Sequence, residues 1–171
     1  MIDLDEIAAT LASLPTVLRT ALAPFDDATL SARPATGEWC AREVVGHLIT
    51  CDTGAFRGRI EAIVSGAPEV PGFDAAGALA GRTDIMDAPF TELLHEFASV
   101  RAESVRFVGS LSVAELSAAA PYRDHGVFTA RDFLLEWPYH DQDHLRQILD
   151  AVQRHYLPHM SDTMRSALLT D

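Results

Sequence analysis

The sequence HDQDH at positions 140–144 sets two imidazoles four residues apart. On a helix that is about 40° around the axis and one turn along it, so both rings can reach one ion. Histidine nitrogen is a common donor to zinc and its neighbours, with bonds near ~2.1 Å. Such a pair is also common on helix surfaces, and its face is what separates the two cases. Taking His140 as zero and about 100° per residue, Phe133 and Ala151 fall near +20°, Trp137 near +60° and Ile148 near +80°. The pair therefore lies on an apolar stripe. His47, between Val44 and Cys51 on another apolar run, offers a third imidazole. Buried imidazoles need partners, because an unpaired polar group in a core costs about 1–3 kcal/mol. A divalent ion shared by His47, His140 and His144 meets that need; hydrogen bonds from three core histidines to carboxylates are the alternative.

Three neutral imidazoles leave an ion open positions for water or substrate, the arrangement of a catalytic zinc site. Two chemistries fit: a bound water made acidic for hydrolysis, or a thiol held as thiolate and presented as nucleophile. Metalloprotease chemistry does not fit. Its HExxH signature needs Glu directly after the first His, where Asp141 stands here. Glu43, one turn before His47, and Gln147, near −20° on the ligand stripe, could each orient a ligand or a bound water. Cys51, one turn after His47, reads as a small buried hydrophobe or as a sulfur within reach of the ion. Tyr139 and Arg57 are candidates by residue type alone. His95, His125, His155 and His159 have no partner at ligand spacing and read as surface residues.

These positions have to be carried by helices. Leu4, Ile7, Leu11, Leu14, Leu18 and Leu22 recur at spacings of three and four, which predicts a helix from about Asp3 to Ala23, bent or divided at Pro15. Residues 24–38 form a connector with a short helical turn at DDATL. A second helix runs from after Trp39 to Gly66, a glycine stop. Residues 66–89, rich in Gly, Ala, Pro and Asp, show no sustained period and read as a long loop covering one end of a bundle. A third helix starts at Pro89 and carries Phe90, Leu93, Leu94, Phe97, Val100, Phe107 and Val108. SVAE at 112–115 is a capping box opening a short helix, and TARD caps a fourth long helix from Thr129 to about Leu157. No convincing strand alternation occurs. The expectation is an all-α, single-domain four-helix bundle over residues 1–171, with a long loop between helices two and three.

The 171 residues suffice for one core, and hydrophobic residues at 48% come in short runs. The net charge of −12, with Arg as the sole basic type apart from His, repels a phosphate backbone and argues against nucleic acid. With no Lys, Schiff-base lysine chemistry is excluded. The acidic start MIDLDEIAAT lacks signal-peptide character, two cysteines build no disulfide framework, and no membrane span is expected. These features place the chain in the cytoplasm with reduced thiols.

The stretches EWCAREVVGHLITCD (38–52) and HDQDHLRQI (140–148) resemble the DinB/YfiT-like superfamily of metal-binding four-helix bundles. The shared pattern is a Trp before the second helix (Trp39), a His-Leu pair on it (His47, Leu48), and a late His-x-x-x-His followed by Gln-Ile (His140, His144, Gln147, Ile148). It extends over nearly the whole chain. Two positions depart from it. Cys40 stands where Ser or Thr usually caps the helix, implying a small stability loss, and Pro138 lies two residues before His140, where it should kink the axis. The resemblance implies a divalent ion on His47, His140 and His144, zinc first, with nickel, iron or manganese as alternatives. It also implies transfer of a low-molecular-weight thiol such as mycothiol or bacillithiol onto a small electrophile, or thiol-dependent isomerisation. A metal-dependent hydrolase ranks second and a non-catalytic metal-binding stress-response module third, with small-molecule partners and a homodimer left open.

Overall fold

In the computed structural model, which describes residues 3–169, the leucine stripe forms α1, Leu4–Leu22, with Ile7, Leu11, Leu14, Leu18 and Leu22 buried. The Asp3 carboxylate caps it, accepting from the Glu6 amide at 2.8 Å. The expected division at Pro15 does not occur, since apolar burial continues on both sides of the proline. Pro15 has no N–H to give the carbonyl of Leu11. That carbonyl accepts instead from Arg101 Nη1 at 3.1 Å. α2, Asp27–Ser31, is the short turn expected in the connector.

The second long helix is not one α-helix, as its hydrophobic run suggested. α3, Ala41–Cys51, passes into a π-helical segment, Asp52–Arg57, and then into α4, Gly58–Val64. The buried positions explain why. His47/Leu48, Cys51/Asp52, Ala55/Phe56 and Arg59/Ile60 are all buried, pairs that recur every four residues. In an α-helix each such step drifts by about 40°, and three steps would carry the stripe out of the core. The wider π turn absorbs that drift and keeps the pairs facing inward. Gly66 ends the helix at φ 81°, a left-handed conformation that glycine adopts without strain.

Residues 66–89 do not cap a bundle end as expected. They include a short helix, α5, Ala75–Ala80, that packs along the flank of α3. Two glycines permit the close approach. A Cβ on Gly46 would lie 2.0 Å from Ile85 Cδ1, and one on Gly54 would lie 2.3 Å from the Phe73 ring.

α6, Phe90–Ser110, and α7, Val113–Leu116, follow, the latter opened by the Ser112–Glu115 capping box. The all-helical expectation then needs a small correction. β1, Ala119–Pro121, pairs antiparallel with β2, Val127–Thr129, in the register Ala119↔Thr129 and Pro121↔Val127. Strands of three residues are too short to show alternation. Thr129 at the end of β2 is also the cap of α8, Ala130–Gln153, which stays helical across Pro138. α8 ends before the expected Leu157. A 3₁₀ segment, Arg154–His159, takes over and leads to α9, Asp162–Leu169, which the sequence reading did not foresee.

The long helices form a four-helix bundle in which α1 packs on α6 and α8, and α3 packs on the same two. Thus α1 and α3, consecutive in the chain, lie on a diagonal, and so do α6 and α8. Each diagonal step takes an extended connection, residues 23–40 and 111–129, where neighbouring antiparallel helices need only a short loop. No helix among the described residues is long and apolar enough to cross a membrane. The apolar core falls into two halves. One gathers Leu11, Phe56, Ile60, Val108, Phe133 and Trp137, the other Leu14, Leu18, Leu48, Phe97 and Ile148. The polar residues that interrupt it occupy the level between them.

Candidate metal centre

That level is crossed by the end of α3 and the start of the π segment at His47 to Asp52 and by α8 at His140 to His144. The structure brings all three expected rings together. His47 Nε2 lies 3.1 Å from His140 Nε2, and the His144 ring centroid is 4.3 Å from that of His140 and 4.5 Å from that of His47. Two nitrogens sharing one ion at ~2.1 Å sit about 3.0–3.4 Å apart for octahedral or tetrahedral angles, and the observed pair lies inside that range. Donor atoms of His47, Cys51 and His140 all lie within 4.8 Å of one another, a group that takes in the sulfur and leaves out His144.

Each ring has a defined setting. Gln147 Oε1 is 2.8 Å from His144 Nδ1; a proton on Nδ1 completes that bond and leaves the Nε2 lone pair free. Trp39 packs over His47 at 4.9 Å and stacks on His144 at 6.4 Å between centroids. Phe56 meets His140 edge-on at 5.0 Å and stacks on Trp137. His140 Nδ1 is buried with no hydrogen-bond partner, so the cluster's own bonds do not satisfy it. Burial, with the neighbouring His144 adding to it, brings His47 down to about 4. Burial, His144, His47 and Arg101 together bring His140 to about 3. His144 is lowered as well, chiefly by burial, against its bond to Gln147. All three are therefore neutral near pH 7, the state that donates to a metal. The donor set fits a divalent ion.

Directly beside the ligand-bearing positions lies a group that the sequence reading missed. Arg101 of α6, 1% exposed, grips Asp52 with Nη2 to Oδ1 at 2.7 Å and Nε to Oδ2 at 2.9 Å. It also bonds both oxygens of Asp141, besides the Leu11 carbonyl. Trp137 Nε1 donates to Asp52 Oδ1 at 3.2 Å. One guanidinium thus ties α1, the π turn, α6 and α8 at the height of the histidines. Burial pushes the Asp141 carboxyl up to about 6, although Arg101 pulls the other way. The available signal was Arg101 itself, a charge on the stripe that continues through Phe97, Ser104 and Val108.

The remaining candidates separate clearly. Glu43, expected to orient a ligand, is engaged elsewhere: one oxygen pairs with Arg33 and the other accepts from the Cys40 amide at 3.0 Å. It completes the cap of α3 that a thiol cannot complete alone. Arg57 pairs with Glu61 and Glu103, and Tyr139 is 68% exposed. His95, His125, His155 and His159 are exposed.

Comparisons with known proteins bear on the family and the fold. A family profile described as the DinB superfamily matches residues 10–148. Among solved structures, YfiT from Bacillus subtilis superposes with a TM-score of 0.76 at 18% identity, over 91% of this chain and 90% of its own. That protein is described as "a probable metal-dependent hydrolase with an unusual four-helix bundle topology". No curated protein matches the sequence.

Proposed function

The chain belongs to the DinB superfamily, and on that premise we propose that it is a divalent-metal-dependent transferase of a low-molecular-weight thiol, mycothiol-like, onto small electrophiles. The ion is held by His47, His140 and His144. The reading is supported by the combination of neutral donors with the engagement of the neighbouring carboxylates Glu43, Asp52 and Asp141 by other groups. Glu43 is taken by Arg33 and the Cys40 amide, Asp52 and Asp141 by Arg101, and Asp143 by Arg146. When bound, the ion supplies Lewis acidity that turns a thiol into a thiolate near neutral pH, its double charge uncancelled by imidazole. A nucleophile made this way needs no protein base, whereas activating water for hydrolysis is usually assisted by one. His47 and His140 hold their lone pairs ready because burial keeps protons off them. Gln147 orients His144, and the indole of Trp39 covers two of the rings and shields the reacting centre from water. Zinc suits this nitrogen set first, with nickel, iron or manganese after it.

The description of YfiT, which shares the fold, favours metal-dependent hydrolysis as the second reading. The test is metal analysis of protein purified without a His tag, followed by assays of the metal-loaded and metal-free forms with thiol–electrophile pairs and with esters and amides. Metal-dependent loss of thiol together with electrophile is the expected result. Metal-dependent hydrolysis without thiol would establish the second reading, and a metal-loaded protein inert in every assay would leave a binding module.

A further inference from the structure

One buried donor in the cluster has no part in the function above. We propose that Cys51 is a fourth protein ligand, its sulfur binding as thiolate the same ion that His47, His140 and His144 hold; this rests on the metal-centre reading but not on the thiol-transfer one. The arrangement is two facing pairs. α3 presents His47 and Cys51 four residues apart, and α8 presents His140 and His144 at the same spacing, so each helix offers two donors one turn apart to the space between them.

Three of the four donors already lie within 4.8 Å of one another, those of His47, Cys51 and His140, and the His144 ring centroid is 4.3 Å from that of His140. Cys51 Sγ is 3.4 Å from His47 Nε2, which is itself 3.1 Å from His140 Nε2. Zinc with nitrogen at ~2.1 Å and sulfur at ~2.3 Å sets the two donors about 3.6 Å apart in a tetrahedron. Coordination also needs the sulfur on the lone-pair side of Nε2, so the cysteine side chain turns to another rotamer when the ion binds. The sulfur lies almost equally far from both ring nitrogens, 3.6 Å from Nδ1 against 3.4 Å from Nε2, which sets it over the ring face and off the in-plane lone pair that an S–H bond to either nitrogen needs. The sulfur is also shut in, with Cys51 only 3% exposed.

Coordination replaces the S–H bond by a sulfur–metal bond and releases one proton to solvent. A thiolate donor softens the site and shifts its preference towards zinc and away from manganese. An incoming substrate thiol must then enter as a fifth donor or displace the Cys51 sulfur, which makes Cys51 an internal competitor for the substrate position.

Cobalt(II) titration of the metal-free full chain, read by absorption, tests this. The wild type should bind one ion and show a sulfur-to-cobalt charge-transfer band in the near ultraviolet. Cys40→Ser should keep that band. Cys51→Ser should still bind cobalt but lose the band, and its zinc affinity should fall at least ~10-fold, the minimum seen when even outer partners of ligands are removed. X-ray absorption of the zinc-loaded wild type, which depends on no variant folding, should show one sulfur scatterer near ~2.3 Å. One bound cobalt without the band, or a band that survives in Cys51→Ser, overturns the proposal and leaves the three-histidine centre standing. A wild type that binds no cobalt at all overturns both.

Discussion

Replacing Arg101 by Leu should be among the most damaging single changes in the protein. The guanidinium is 1% exposed and donates to Asp52, Asp141 and the Leu11 carbonyl. Without it two carboxylates remain in the core unpaired, and breaking a buried ion pair from one side costs about 3–5 kcal/mol. The Leu11 carbonyl cannot fall back on an intrahelical partner, because residue 15 is proline, and an orphaned buried acceptor adds about 1–3 kcal/mol. The sum, about 4–8 kcal/mol, is a large part of the 5–15 kcal/mol that holds a typical domain together. At about 2–4 °C per kcal/mol for a chain of this size, the melting temperature should drop by roughly 10–30 °C. The loss should shrink on acidification: unpaired buried carboxylates titrate above their unfolded values, so the folded state takes up protons first and gains stability as pH falls towards about 4. Changing Arg101, Asp52 and Asp141 together to Leu should recover much of the loss, short of the bond from Trp137 to Asp52. Urea unfolding at pH 7 and pH 5 measures all of this. An Arg101→Leu protein within about 1 kcal/mol of the wild type at pH 7 would refute the reasoning, since it would place the cost below that of one buried unpaired group.

Four further outcomes are expected. His144→Ala should lose most bound metal by elemental analysis while its far-ultraviolet circular dichroism stays close to the wild type, because the fold rests on the apolar stripes. Gln147→Leu should keep the ligands but weaken zinc binding about 10–100-fold in competition with a chelator, by freeing the His144 ring. Metal-free protein should lose stability as pH falls below about 6.5, where unfolded histidines protonate while His47 and His140 resist to about 4 and about 3; Asp141, raised to about 6, opposes this with a single proton, and a melting temperature flat from pH 7 to pH 5 would contradict it. Cys40→Ser should raise stability by about 0.5–1 kcal/mol in denaturant titration, as a hydroxyl accepts from the Glu43 amide better than a thiol does.

Spacing made the long helices and the face of each ring legible, because a period of three and four residues fixes which side chains share a face. That His47 meets His140 and His144 at one level was implied by the resemblance to the DinB/YfiT-like superfamily, since a period within one helix says nothing of its height against another. Other features need information that no single helix holds. The π turn was present as pairs repeating every four residues, but only packing shows that both members of each pair are buried. Glu43 shares the face of His47, yet Arg33 and the Cys40 amide claim it, and neither contact is visible from a helical wheel. Arg101 was passed over although it is a charge on an apolar stripe, and its carboxylate partners come from elements 40 and 49 residues away in sequence. The hairpin and α9 were missed because strands of three residues and a helix following a proline-containing turn give too short a period to detect.

The polar level of the bundle also explains why the metal chemistry and the fold can share one core. Six polar side chains at mid-height would be a liability if they interrupted a single apolar cluster. Here the two apolar halves pack above and below them, each with its own aromatic and leucine content, so neither depends on the histidines for burial. The ion triad does the joining, tying four segments of backbone at that height. With both carboxylates ionised it carries one net negative charge, and its acidic members directly follow Cys51 and His140 in the chain. At His140 the member of the triad that is felt is the Arg101 guanidinium, which helps burial to keep that ring unprotonated, so the group that joins the four segments also favours the neutral, donating form of the ring.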